Sequence, residues 1–438
     1  MALLESLYAA GMSAVRRIAP VAGVGSARVA RGVRGREASL EALEGWAATE
    51  RDPDRPLIWI HAPSVGEGLQ SKAVVEACRA RAPDAVQWIF THFSPSAEPL
   101  AARMPVGWAG YLPWDVEGPV SRALAAARPS ALVFTKTEVW PVLSRAAAAR
   151  GVPTALVAAT LPANSSRAGV VARRLLHPSM ARLARVAAIA HDDAARFRGL
   201  GVRADALSVT GDPGIDSAAA RAAASDPEAS WLRPFHRHRR PTVVAGSTWP
   251  ADEAVLVPAL TRLRAGTPDL RLIVAPHEPD DTHLPPLRSA LREAGWSTAL
   301  LAEVEADPDR AADVGAVVVD RVGVLASLYT VADAAFVGGG FHDKGLHSVL
   351  EPAAAGVPVA FGPGHHNARA ASELLAERGA AVAADAERLA EVLGAWLADP
   401  GAGRRAGELA RFWIDRHRGA ADRTASLLLD LVLPETPA

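Results

Sequence analysis

Short, almost unbroken apolar runs separated by alanine- and arginine-rich helical stretches constrain this chain more than any other feature. They fall at residues 57–61, 86–91, 131–135, 154–159, 186–190 and 207–210. They return at 242–246, 271–275, 298–301, 316–320, 334–337, 357–361 and 380–382. Strands that are apolar throughout and alternate with helices predict parallel sheets covered on both faces. At 438 residues the chain is too long for one ordinary core, so two or three domains are expected. In such sheets ligands sit beyond the carboxyl ends of the strands, and the loops there carry the functional reading.

The richest of these loops lies between Val337 and Pro363. The strand at 334–337 runs into Gly338, Gly339 and Gly340, which let the backbone turn sharply and approach a ligand. A helix is expected from near His347 to Ala355, stopped by Gly356 and followed by Pro358. A glycine loop feeding a helix N-terminus is a natural anion site. On that helix His347 and Glu351, four apart, would share one face, and a carboxylate there can accept both hydroxyls of a ribose. These parts point to a nucleotide-activated sugar, with phosphate on the loop and ribose on Glu351.

In the first half, Ser64-Val65-Gly66-Glu67-Gly68 follows the first strand, leaving the Glu67 carboxylate between two glycines at a loop or first helical turn. Ser94 or Ser96 is suited to cap the helix after the second strand. After the third comes T-K-T-E-V-W-P, residues 135–141, with Pro141 fitted to a first helical turn and Trp140 to core or cleft wall. Arg167, Arg173 and Arg174 read as a basic helix face or as contacts for acceptor phosphates. The segment H-E-P-D-D-T-H, residues 277–283, carries the residue types of a metal site, but its two histidines are six apart with Pro279 between them and do not share a helix face, so none is read there. Cys78 is the only cysteine, which excludes an internal disulfide and a cysteine metal site. A net charge of −1 argues against a general nucleic-acid binder. Residues 1–36 carry Arg16, Arg17, Arg28, Arg31, Arg34 and Arg36 against Glu5 alone, among apolar segments too short to span a membrane. No cleaved signal is expected; the segment reads either as a basic amphipathic stretch lying on an anionic membrane surface or as a helix packed on its own domain.

Taken in order, S-V-G-E (64–67), T-E-V-W-P (137–141), G-S-T (246–248), D-R-x-G-x-L (320–325) and G-x-H-x-x-L-E-P (345–352) resemble the motifs of the Kdo transferases. These enzymes move 3-deoxy-D-manno-octulosonic acid (Kdo) from CMP-Kdo to lipid A precursors. The resemblance covers roughly residues 30–420. It implies a GT-B glycosyltransferase, an α/β fold of two Rossmann-like domains facing one cleft. The expected divisions are a membrane-associating segment at 1–36, an acceptor domain at 37–216, a linker at 217–240, a CMP-Kdo domain at 241–410, and a C-terminal helix at 411–438, around Trp413, packing back on the first domain.

The resemblance makes Glu67 the catalytic base and Glu138 a second required carboxylate. It places Ser64, Gly66 and Ser94 on the acceptor side. The donor would be bound by Gly246, Ser247, Thr248, Pro276, His277, Arg321, Gly323, Gly338, Gly339, Gly340, His347, Ser348 and Glu351. No metal and no cofactor are expected, and the protein would sit peripherally on the cytoplasmic face of the inner membrane. The chain departs from the pattern at several places. Lys136 stands for the first Glu of E-T-E-L-W-P, Gly214 for the Lys of G-N-L-K-F-D, and His277 follows Pro276 where A-P-R-H has Arg. The Asn and Arg of V-N-A-R-L-S have no counterpart at the matching positions after the strand at 154–159. These departures leave two alternatives: another GT-B enzyme using a UDP-sugar (a transferase or epimerase), or a non-catalytic relative that binds nucleotide or lipid A.

Overall fold

The computed structural model describes residues 2–22, 27–163, 165, 167, 169–343 and 345–434. Two compact units emerge. One comprises Met1–Ser217 with Arg418–Ala438, the other Ala218–His417.

The first unit is built on β1 (Leu57–His61), β2 (Gln87–His92), β3 (Trp108–Tyr111), β4 (Ala131–Thr135), β5 (Thr154–Ala159), β6 (Leu183–Ala188) and β7 (Leu207–Val209), in the order β3-β2-β1-β4-β5-β6-β7. Every recorded pairing is parallel. β1 and β4 are buried at every position, as strands covered on both faces must be. Trp59 and Phe134 fill one face, Ile58 and Phe90 the other. The edge strand β3 has no counterpart among the apolar runs. Its sequence, W-A-G-Y, is short and holds a glycine whose added Cβ would meet the Trp108 ring at 2.6 Å, so packing and not propensity makes it a strand.

The second unit contains β8 (Thr242–Thr248), β9 (Arg271–Pro276), β10 (Thr298–Leu300), β11 (Ala316–Val318), β12 (Ala334–Val337), β13 (Val359–Phe361) and β14 (Ala380–Val382), ordered β10-β11-β9-β8-β12-β13-β14. Both sheets reverse direction of growth beside their first strand, between β1 and β4 and between β8 and β12. Such switch points open a crevice at the strands' carboxyl ends. The loops after β1 and β4 carry Glu67, Lys136 and Glu138; those after β8 and β12 carry Trp249 and the three glycines.

The chain termini join the first unit by identifiable bonds. The helix Ala420–Leu429 is capped by Asp216, whose carboxylate accepts the N–H groups of Gly419 and Ala421 at 2.6 and 2.9 Å. It packs on the helix Val65–Arg81, where Arg81 and Asp422 pair through both carboxylate oxygens. Trp413 does not travel with it. Its indole donates to Glu373 at 3.2 Å, and the helix Pro400–His417 belongs to the second unit. The region expected as a linker is likewise structured. The helix Pro213–Ala223 opens it, and the short helix Arg233–Arg237 buries Leu232 and Phe235 in the second unit's core.

At the N-terminus, helices Ala2–Ala22 and Ala27–Thr49 pack on each other; residues 23–26 lie outside the described ones. Tyr8 turns inward and hydrogen bonds Asp115. Leu7, Val15 and Ile18 stay exposed, as do Arg16 and Arg17. Among the described residues, no helix is long and apolar enough to cross a membrane.

Candidate active site

In the first unit the backbone leaves β1 at His61 and enters the helix Val65–Arg81 after Ser64. Glu67 occupies its first turn, where a carboxylate faces the positive end of the helix. The side chain is 15% exposed. The Ser64 hydroxyl donates to Oε2, and Lys136 Nζ lies 3.4 Å from Oε1. The two flanking glycines have different reasons. A Cβ on Gly68 would meet Leu100 at 2.4 Å, whereas one on Gly66 would meet nothing within 4 Å. Only Gly66 leaves space beside the carboxylate.

Two side chains, Ser71 and Gln70, anchor this helix, to β4 and to the loop after β7. Thr135 Oγ1 donates to the His61 carbonyl at 2.9 Å, so Ser71 is the donor in its 2.8 Å contact with Thr135. Gln70 donates to Asp212 Oδ1 at 2.8 Å, and the Gly214 N–H meets the same oxygen at 2.7 Å. Burial raises the Asp212 carboxyl, opposed by these hydrogen bonds and by the charge of Lys136.

His61 is fully buried. Trp140 Nε1 donates to its Nε2 at 3.1 Å, which leaves the ring proton on Nδ1, 3.0 Å from Thr91 Oγ1. Burial drives the His61 pKa down to about 3. An imidazole that is neutral when folded and has an unperturbed value near 6.5 in the unfolded chain makes stability pH-dependent. Its contribution is complete above pH ~6.5 and is lost as pH falls toward the folded value. Urea melts at pH 7 and pH 5 should therefore differ by roughly 2 kcal/mol from this group. The His61→Gln protein, less stable at pH 7, should show a flatter dependence, and an unchanged slope would refute the assignment.

β4 is followed by Lys136, whose φ of +67° is left-handed and uncommon for a side-chain-bearing residue. Two residues on, Glu138 pairs with Arg167 at 3.2 Å. Burial raises the Glu138 carboxyl; Arg167 opposes this and the charge of Glu67 adds to it. Arg167, read as a possible phosphate contact, thus reaches a site carboxylate, while Arg173 donates to the Gly199 carbonyl at 2.8 Å. Ser94 acts as a turn cap, receiving the Ser96 N–H at 3.4 Å. Trp140 stacks on Phe93 with centroids 5.3 Å apart.

In the second unit the glycine loop differs from a simple anion cradle. The Gly338 N–H donates to the Gly246 carbonyl at 2.9 Å. The Gly339 and Phe341 N–H groups donate to the Asp252 carboxylate at 2.8 and 3.3 Å. Asp252 also accepts the Trp249 N–H at 2.9 Å and is completely buried. One carboxylate thus ties the N-terminus of the helix Pro250–Arg264 to the loop after β12. The glycines are needed for backbone packing: a Cβ on Gly338 would lie 2.3 Å from the Ser247 carbonyl oxygen, and Gly339 has φ +96°. Ser247 itself is left-handed, φ +55°. Gly246 makes room for buried Tyr329, whose hydroxyl would be 2.0 Å from an added Cβ.

The expected helix from His347 to Ala355 is only Leu350–Ala354. His347 precedes it in extended chain, so the pair does not share a helical face. Asn367 explains this by bonding both the N–H and the carbonyl of Leu346 at 3.0 Å, while the His347 N–H donates to Gly338 at 3.0 Å. These bonds compete with helical ones. His347 faces an aromatic cluster instead: Trp249 Nε1 donates to its Nε2 at 2.9 Å, and His277 stacks on both rings at 4.4 and 4.6 Å. Burial, with lesser help from His277 and His342, lowers the His347 pKa to about 4.

Glu351 pairs with Arg221, and exposed Ser348 accepts the Leu350 N–H at 3.3 Å. The Thr248 hydroxyl donates to Glu253 at 2.9 Å, so that proton is already committed. Pro276 closes β9, and the His277 N–H donates to the Thr248 carbonyl at 2.9 Å. Arg321 is paired with Glu305, beside the Gly323 turn, φ +95°. Nearby, Glu278, Asp280 and His283 bring their ligand atoms within 4.8 Å of one another. That trio lies within the segment set aside as a metal site on the spacing of its histidines. Asp252, Arg221 and Asn367 were missed by sequence reasoning. Asp252 alone had a legible signal, an acid at the third position of a helix begun by Pro250.

Two doubly wound units, each with its polar loops at a switch point, define a GT-B-like fold. The S. aureus MnaA–UDP co-structure superposes with a TM-score of 0.60 over 88% of this chain and 99% of that one, at 13% identity. A glycosyltransferase from Rickettsia africae gives 0.59 over 87% and 100%, at 12% identity. Residues 38–217 match the family described as 3-Deoxy-D-manno-octulosonic-acid transferase (kdotransferase). The 3-deoxy-D-manno-octulosonic acid transferase of Bordetella pertussis is 32% identical over 388 residues, covering 85% of this chain and 87% of that protein. The chain belongs to the 3-deoxy-D-manno-octulosonic acid transferase family.

Proposed function

We propose that the chain transfers Kdo from CMP-Kdo to a lipid A precursor, with Glu67 as the general base. The carrying observation is the placement of Glu67 at the β1/β4 switch point, bonded by the Ser64 hydroxyl, with space beside Gly66. The carboxylate takes the proton of the acceptor hydroxyl as its oxygen attacks the anomeric carbon of Kdo. CMP leaves with the bonding pair, inverting that centre. Glu138, held by Arg167, sets the geometry and charge around Glu67. In the second unit, Glu351 receives the ribose hydroxyls while Arg221 fixes its carboxylate, and the Ser247 and Gly338–Gly340 loops face the phosphate.

The exposed Leu7, Val15 and Ile18 beside Arg16 and Arg17 support a peripheral seat on a membrane surface, which we place at the cytoplasmic face of the inner membrane. Thermal melting tests the donor assignment. CMP at a hundredfold excess over its dissociation constant should stabilise the protein by about 2.7 kcal/mol. UDP at the same concentration should do little, and Glu351→Ala should remove most of the CMP effect. Equal protection by UDP would overturn the assignment.

A further inference from the structure

The turn after β4 is built around a residue that the transfer step does not itself use. Lys136 holds its left-handed backbone through an N–H bond to the Val157 carbonyl at 2.8 Å, and its carbonyl accepts from Thr160 at 3.4 Å. A left-handed conformation costs a residue with a side chain free energy, and such positions collect at functional sites. Here the turn brings the ammonium to 3.4 Å from Glu67 Oε1.

The charges facing Glu67 come from several elements. The β4 loop supplies Lys136 and Glu138; the 161–169 segment supplies Arg167, which pairs with Glu138. The loop after β7 supplies Asp212, and Thr210 to Gly214 add no positive side chain to it. His61 on β1 is buried and bonded to Trp140. Three carboxylates thus gather at the ends of β1, β4 and β7. Lys136 acts on all of them, by contact with Glu67 and through its charge on Glu138 and Asp212.

We infer that Lys136 is a positioning residue, which holds the Glu67 carboxylate in place beside its ammonium against the like charge of Glu138. The inference rests on the reading of Glu67 as the base. Removing a cation from beside a carboxylate favours its protonated form, so the acid side of the reaction should suffer first.

The test is the pH dependence of kcat/KM for Kdo transfer by the full chain carrying Lys136→Arg, Lys136→Gln or Lys136→Glu. In the Gln protein the acidic limb should move up by about 0.5–1 pH unit, lowering kcat/KM roughly 3–10-fold on that limb. KM for CMP-Kdo should hold. Arg should restore the wild-type limb and Glu should displace it further. The side chain is 47% exposed, so melting should change little. If the Gln protein were nonetheless unstable, the Arg and Glu proteins make the same comparison with charge kept or reversed. Superimposable limbs for Lys, Gln and Glu would overturn the inference. Glu67→Gln, run in parallel, separates the two claims: an inactive Glu67→Gln with unmoved Lys136 limbs defeats only the role of Lys136, while an active Glu67→Gln defeats the base.

Discussion

Replacing Glu67 with Gln is expected to lower Kdo transfer by about 10²–10⁴-fold while leaving the melting curve and CMP protection intact. Gln keeps the shape of the side chain and its hydrogen bond from Ser64, and removes the basicity. A hydroxyl nucleophile ionises poorly near neutral pH, so the loss falls on the chemical step and appears in kcat. The helix should survive, because its anchors are Gln70 to Asp212 and Ser71 to Thr135, four residues or fewer from Glu67 but independent of its charge. Near-normal turnover by a folded Glu67→Gln protein would exclude it as the base and move attention to Glu138.

The second large effect is expected at Asp252. Its buried carboxylate receives the N–H groups of Trp249, Gly339 and Phe341. Asp252→Ala would leave these donors without that acceptor, and each orphaned group costs about 1–3 kcal/mol. The measured loss should be at least about 3 kcal/mol by urea unfolding. Freed from Asp252, the loop after β12 should no longer face the donor phosphate in one geometry, so CMP protection should fall along with stability. Asp252→Asn retains an acceptor oxygen and should lie between wild type and Ala. If Asp252→Ala melted like wild type and kept its CMP response, the carboxylate would not be organising the loop.

The legibility of this chain follows from where its structure is set by local pattern and where by long-range bonds. Strands 57–61, 131–135, 154–159 and 334–337 are readable to the residue because fully buried parallel strands are continuous apolar runs. β3 is not, because Trp108–Tyr111 is an edge strand of four residues defined by its neighbour. The His347–Glu351 helix failed for a related reason. Helical spacing was present, but Asn367, twenty-one residues beyond Leu346, binds the backbone that would have opened the helix. The glycines were read as making room for a ligand; the structure gives them close packing against Ser247 and Gly362. Lys136 stood out in the sequence as a departure from a motif, while its contact with Glu67 needed the fold.

The central claim is the reaction itself, and one measurement addresses it directly. Purified full-length protein is given CMP-Kdo, in parallel with UDP-sugars, together with a lipid A precursor in detergent, and lipid mass and released nucleotide are followed. The account predicts that the lipid gains Kdo, that CMP appears in equal amount, and that no UDP is formed. Consumption of a UDP-sugar with CMP-Kdo untouched would contradict it.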